Sequence, residues 1–186
     1  MKRSKLGDVF AINLPNGYKL FQRAYDIPRT GRFIRVFDGL FPDIPNSVAE
    51  IVAGPHSYII NFDTIKAYRC GLARFIGNYP VPTHYPFPDY MFDFLRNPDG
   101  QTLRVSVVKT NLTGLQVFNI RHWTELPIEY NVLTLLWPVY SVAKVLYMFD
   151  SNWSPRQLCD FSVPDLDEGF LSKQSVYLEM IEQFLK

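Results

Sequence analysis

The Pro15-Asn16-Gly17 step constrains this chain more than any other feature of its sequence. Asn and Gly tolerate the positive φ angles of a tight hairpin turn. Residues 8–14 and 18–25, on either side, are rich in β-branched and aromatic side chains, so the chain is expected to open with two antiparallel strands. Gly7, just before the first strand, lets the backbone enter it without a Cβ clash. Arms this apolar need cover, so one face of the hairpin must be buried by a later part of the chain.

Further strands follow. Residues 32–37 (RFIRVF) alternate basic and apolar side chains, which predicts a half-exposed third strand. Residues 57–62 (SYIINF) and 72–76 predict two more, and the type of the segment 47–53 is left open. Between residues 79 and 98 the chain carries Pro80, Pro82, Pro86, Pro88 and Pro98 among aromatics. Each proline removes a ladder donor, so this run is expected as an ordered loop over the sheet, held by Tyr79, Tyr85, Phe87 and Tyr90. Residues 102–109 and 115–121 predict a second strand pair. Short strands with such turns point to a strongly bent antiparallel sheet or a small barrel.

The last third changes character. Residues 130–148 are almost continuously apolar, but Asn131, Thr134, Pro138, Ser141 and Lys144 form a polar stripe at helical spacing. A helix buried on most of its circumference accounts for this better than a membrane span, and a pair of strands is the alternative. Val176, Met180, Ile181, Phe184 and Leu185 predict a helix over 173–185 with Ser172 as N-cap. The chain thus reads as α+β: one domain over 1–186, mainly β over 1–122, with C-terminal helices packed on the sheet over 123–186. At 186 residues with 20 % charged side chains, it can bury a substantial core.

Charge is unevenly placed. Residues 1–37 hold eight basic against two acidic groups, and residues 160–186 hold six acidic against two basic, within a net +1. The basic end could meet nucleic acid through Arg23, Arg29, Arg32 and Arg35, but its charges are scattered rather than clustered. Cys70 and Cys159 form no CxxC pair, and the N-terminus lacks the apolar segment of a secretion signal, so the reading is a cytoplasmic protein with free thiols.

No GxGxxG, P-loop, HExxH or GxSxG occurs. His56, His84 and His122 are isolated in sequence, so a Cys70–His pair or a metal set would have to be assembled by the fold. No cofactor and no metal are expected. Asp165, Asp167 and Glu168 (DLDEG) are the densest acidic cluster, expected in a loop before the last helix. Their spacing lacks the ligand count of a calcium loop, which leaves solvation or a partner-facing patch.

The opening GDVFAINLPNGYKLFQRAY, the strand SYIINF and the segment RCGLARFIGNYPVP together resemble the immunity protein 26 family, over roughly residues 5–105. These are small cytoplasmic proteins of bacterial polymorphic-toxin and contact-dependent inhibition systems. The resemblance implies a protein without enzymatic activity that binds a cognate toxin domain, a basic nuclease being the case considered, and neutralises it stoichiometrically. On that reading Asp165, Asp167 and Glu168 are the first candidates for the partner-binding surface, and Tyr85, Phe87 and Tyr90 the second. A small-barrel nucleic-acid-binding module is the alternative.

Overall fold

The computed structural model describes residues 4–27, 31–85, 90–96, 102–111, 114–118, 132–133, 139–151 and 163–185. The hairpin forms as expected. β1 (Asp8–Leu14) and β2 (Gly17–Ile27) pair antiparallel, with Leu14 opposite Gly17 and Val9 opposite Gln22. Gly7 enters β1 at φ +88°, and a Cβ there would run into the carbonyl oxygen of Tyr79. Gly17 has φ +133°, with the Phe41 carbonyl oxygen 2.7 Å from where its Cβ would stand. Both positions require glycine.

β3 (Gly31–Val36) adds to β2, β4 (Tyr58–Asn61) to β3, and β5 (Ala73–Asn78) to the outer side of β1. These five strands are antiparallel throughout. β6 (Tyr90–Arg96), β7 (Thr102–Asn111) and β8 (Gly114–Phe118) form an antiparallel meander. The two-residue strand β9 (Val132–Leu133) runs parallel to both β4 and β6 and joins the two groups, giving the order β5-β1-β2-β3-β4-β9-β6-β7-β8. The fold is α+β, and β5 and β8 end the sheet, so it is open and not the barrel that was the second option.

The hairpin is covered on both faces, not one. Phe10, Ile12 and Leu14 join Phe21, Ile34, Val36 and Ile60 in the main core. Helices α3 (Val139–Asp150) and α4 (Val163–Leu185) close that core with Leu146, Phe149, Phe170, Tyr177 and Ile181. On the opposite face Val9, Ala11, Leu20 and Phe37 meet Val48 and Val52 of α1 (Val48–Ala53). Strand alternation with apolar residues on both sides therefore places β1 between two layers. A further short helix, α2 (Thr64–Arg69), begins where Asp63 accepts a hydrogen bond from the Lys66 amide at 3.0 Å and buries Ala67 in the main core.

Several expectations need correction. β3 is not half-exposed: Arg32 faces solvent, but Arg35 is fully buried. The proline-rich run does not stay a loop as far as residue 98. Pro88 precedes Tyr90 and Pro98 follows Arg96, so the seven intervening residues keep every ladder donor and form β6, with Tyr90 as its first residue. The predicted helix over 130–148 divides into β9 and α3, which starts at Val139, directly after Pro138, because a proline in a helix interior costs a hydrogen bond.

The last helix starts ten residues earlier than expected, at Val163, so Asp165, Asp167 and Glu168 lie within its first turns and not in a preceding loop. Pro164 suits a first helical turn, and carboxylates there oppose the positive end of the helix dipole. Ser172 is accordingly interior, with its Oγ donating to the Gly169 carbonyl at 2.8 Å, and caps nothing. The buried face runs through Phe170, Tyr177 and Ile181, whereas Val176 is 44 % exposed. No described helix is long and apolar enough to cross a membrane.

Candidate functional site

Among the described residues, a dense polar construction is built around a buried arginine. Gln22 of β2 and Arg35 of β3 are cross-strand partners, so their side chains emerge together on the face covered by α1. Arg35 Nη1 donates to Gln22 Oε1 at 3.1 Å and to the Val52 carbonyl at 3.3 Å. Its Nη2 donates to the Gly54 carbonyl at 2.9 Å, and its Nε to His56 Nδ1 at 3.2 Å. The guanidinium carbon lies 4.6 Å from the centre of the Tyr85 ring and 5.3 Å from that of Phe37. Among the described residues no carboxylate pairs with this charge. It is offset by aromatic faces and by carbonyls at the C-terminal end of α1, where the helix dipole is negative.

This arrangement fixes the state of His56. With Arg35 Nε donating to it, Nδ1 must be an acceptor, so the ring is neutral with its proton on Nε2. Burial, and then the Arg35 charge, hold its pKa down at about 4, against the opposing pull of Asp38. A second buried cation, Lys19, donates to the Gly39 carbonyl at 3.1 Å, and burial lowers its pKa to about 8.

The same node clamps the start of the proline-rich segment. Gln22 Nε2 donates to the Tyr79 carbonyl at 2.8 Å, and the Tyr79 amide donates to the Gly7 carbonyl at 2.9 Å. At the other end the Tyr25 hydroxyl donates to the Tyr85 carbonyl at 2.6 Å. The Tyr85 ring meets Arg35, stands edge-on to His56 with centres 5.2 Å apart, and touches the exposed His84 ring at 4.2 Å. The segment 79–85 is therefore a surface bonded at both ends and preorganised for contact. Such rigidity lowers the entropy cost of docking.

The predicted partner-binding residues do not converge. Tyr85 is half-buried, with its ring committed to Arg35, and Tyr90 opens β6. Asp165, Asp167 and Glu168 belong to α4, which covers the Phe10/Ile34 face, opposite to the face that carries Arg35 and Tyr85. Phe87 lies outside the described residues, as do His122, Arg29 and Cys159. The Cys70 thiol donates to the Ala67 carbonyl at 3.4 Å. Of the four arginines weighed for nucleic-acid contact, Arg35 is wholly internal and Arg23 is 5 % exposed.

Sequence reasoning missed Gln22, Arg35 and His56 as a unit, because a basic residue alternating with apolar ones reads as the wet side of a strand. The one available signal was the run of aromatics and prolines that begins at Tyr79 and passes through Tyr85, which needs something to hold it. Comparison of the chain with protein-family models, with curated proteins and with solved structures finds no match.

Proposed function

We propose that this chain is an immunity protein: it binds a cognate bacterial toxin domain one-to-one in the cytoplasm and neutralises it without performing a reaction. One observation carries the reading. The three stretches that resemble the immunity protein 26 family, far apart in sequence, are bonded into a single unit. The hairpin pairs with β5 along Asp8–Ile12, and Gln22 and Tyr25 of the hairpin hold Tyr79 and Tyr85, while SYIINF supplies β4 two strands away. A family scaffold requires this kind of mutual dependence. On this reading the rigid segment around Tyr85 presents one contact surface, and Asp165, Asp167 and Glu168 on α4 steer a basic toxin during encounter.

The test is co-expression with a toxin domain sought among the neighbouring genes. Cells should survive only when this chain is present, and the two proteins should co-elute at equal stoichiometry. Alanine at His56, His84, His122, Cys70 or Cys159 should leave protection intact wherever the variant stays folded. Loss of protection from a folded His→Ala variant that still binds the toxin would count against a purely stoichiometric mechanism.

A further inference from the structure

A cleft between α2 and the β2–β3 strands carries a chemistry that the toxin-binding reading does not use. Four cationic side chains line it: Arg23 from β2, Arg32 from β3, and Lys66 and Arg69 from α2, with Asp63 as the one carboxylate among the described lining residues. Lys66 and Arg69 are three residues apart and so emerge on the same side of their helix. Arg32, Lys66 and Arg69 are solvent-exposed at the mouth. Arg23 is different, being 5 % exposed at the back. Its Nη2 holds both carboxylate oxygens of Asp26 at 2.8 and 2.6 Å, and its Nη1 donates to the Ser4 carbonyl. Among the described residues its buried Nε has no acceptor, and the neighbouring buried Ser4 hydroxyl has no partner.

The cleft continues into an apolar slot. Ser4, Ile65 and Arg69 line both spaces, and beyond them the walls are the rings of Phe10, Tyr68 and Phe75 together with the mostly buried Asp8, whose carboxylate is taken up by the Lys5 amide and Asn78 Nδ2. Phe10 lies 6.0 Å from Tyr68 and 5.8 Å from Phe75, centre to centre, and Tyr68 is 43 % exposed. A wet cationic basin that opens onto an aromatic slot matches a ligand with an anionic head and an apolar body.

We infer that this cleft binds a small phosphate monoester, with its phosphate among Arg32, Lys66 and Arg69 and its apolar substituent against Tyr68. Guanidinium forks match the paired oxygens of a phosphate, and an ammonium adds an adaptable point charge beside them. With Arg23 already paired to Asp26, Arg32, Lys66 and Arg69 face Asp63 alone at the mouth, and this excess of positive charge favours a dianion over a single carboxylate.

The probes are inorganic phosphate and phenyl phosphate, titrated into the folded full chain and followed by amide chemical shifts. Both should saturate, with shifts centred on residues 63–69, and phenyl phosphate should bind more tightly. Arg69→Gln should weaken both by at least tenfold, and Arg32→Gln, on the opposite wall, should do the same. Tyr68→Ala should reduce phenyl phosphate to the affinity of inorganic phosphate and leave the latter unchanged. The absence of saturable binding overturns the proposal, as does binding that Arg69→Gln and Arg32→Gln leave untouched. Two further arms use a glutamate-rich hexapeptide and a single-stranded oligonucleotide. Tighter binding of either of these than of phenyl phosphate would reassign the cleft to a macromolecular partner and overturn the small-ligand assignment.

Discussion

Asp150 is the residue on which three separate parts of the chain meet. Its carboxylate is 4 % exposed and accepts hydrogen bonds from the Asn16 amide (2.9 Å), from Asn16 Nδ2 (2.8 Å) and from the Tyr177 hydroxyl (2.7 Å). The turn of the hairpin, the end of α3 and the middle of α4 are thus fastened to one anion. Burial first, and then this bond to Asp150, raise the Tyr177 pKa, so the phenol stays protonated. Removing the carboxylate leaves buried donors without an acceptor, so Asp150→Ala should cost about 3–5 kcal/mol, whereas Tyr177→Phe should cost about 1–2 kcal/mol. Denaturant titration of both variants and the double variant measures this, and simple additivity would mean that the contact contributes nothing of its own.

His56 makes a second prediction at this scale. Its folded pKa of about 4 lies below the ordinary 6.5, so between these values the unfolded chain binds a proton that the folded chain refuses. Stability should therefore fall as pH drops from 6.5 to 4, by about 3 kcal/mol from this residue, with no further loss from it below 4. His56→Gln, which keeps an acceptor for Arg35 but cannot titrate, should remove that component. A wild-type minus variant difference that stays constant from pH 7 to pH 4 would refute the assignment.

At the scale of elements, two glycines with positive φ separate strain from steric exclusion. Gly7 has φ +88° and no room for a Cβ beside the Tyr79 carbonyl, whereas Gly39 has φ +79° and nothing within 4 Å. Gly39→Ala should cost about 1 kcal/mol for the backbone conformation alone, and Gly7→Ala about 3 kcal/mol because β1 must also move away from the segment after β5. Equal melting temperatures for the two variants would show that the close approach at Gly7 carries no energy. The role of Gly7 was legible because a glycine before an apolar strand has few other reasons to be there. The hairpin, β4 and the β7–β8 pair were legible for the same kind of reason, as turn chemistry and alternation are local. α4 was misjudged where tertiary structure decides. Gly169 interrupts its helical pattern, yet it lies close against α3, and a Cβ there would require the Tyr147 hydroxyl to move aside. The helix face was also displaced by one residue, because Tyr177 is drawn inward by Asp150 and leaves the more apolar Val176 outside. Nothing local to RFIRVF reveals that α1 will arrive to offer carbonyls to Arg35.

For the whole molecule, the determining feature is that helices from the end of the chain cover strands from its beginning. Phe149 of α3 packs at 6.0 Å from both Phe21 and Phe62, centre to centre, and α4 adds Phe170, Tyr177 and Ile181 to the same core. Phe149→Ala should cost about 3–5 kcal/mol, a large share of a domain's total stability. Ending the chain after Ser151 should abolish cooperative unfolding and expose the Phe10/Ile34 face to a hydrophobic dye. A sharp transition in the shortened chain would show that the sheet and α3 stand without α4.

The bond from Asn16 to Asp150 spans 134 positions, and this separation has a temporal meaning during synthesis. A ribosome adds roughly 5–20 residues each second, so the hairpin emerges about 8–30 s before Tyr177 exists to complete its cover. Throughout that interval an apolar strand pair waits beside the exit tunnel with its main-core side open. A message truncated late in the coding region would thus yield a nearly full-length chain with a bare sheet, and such a product would be a ready substrate for chaperones and proteases.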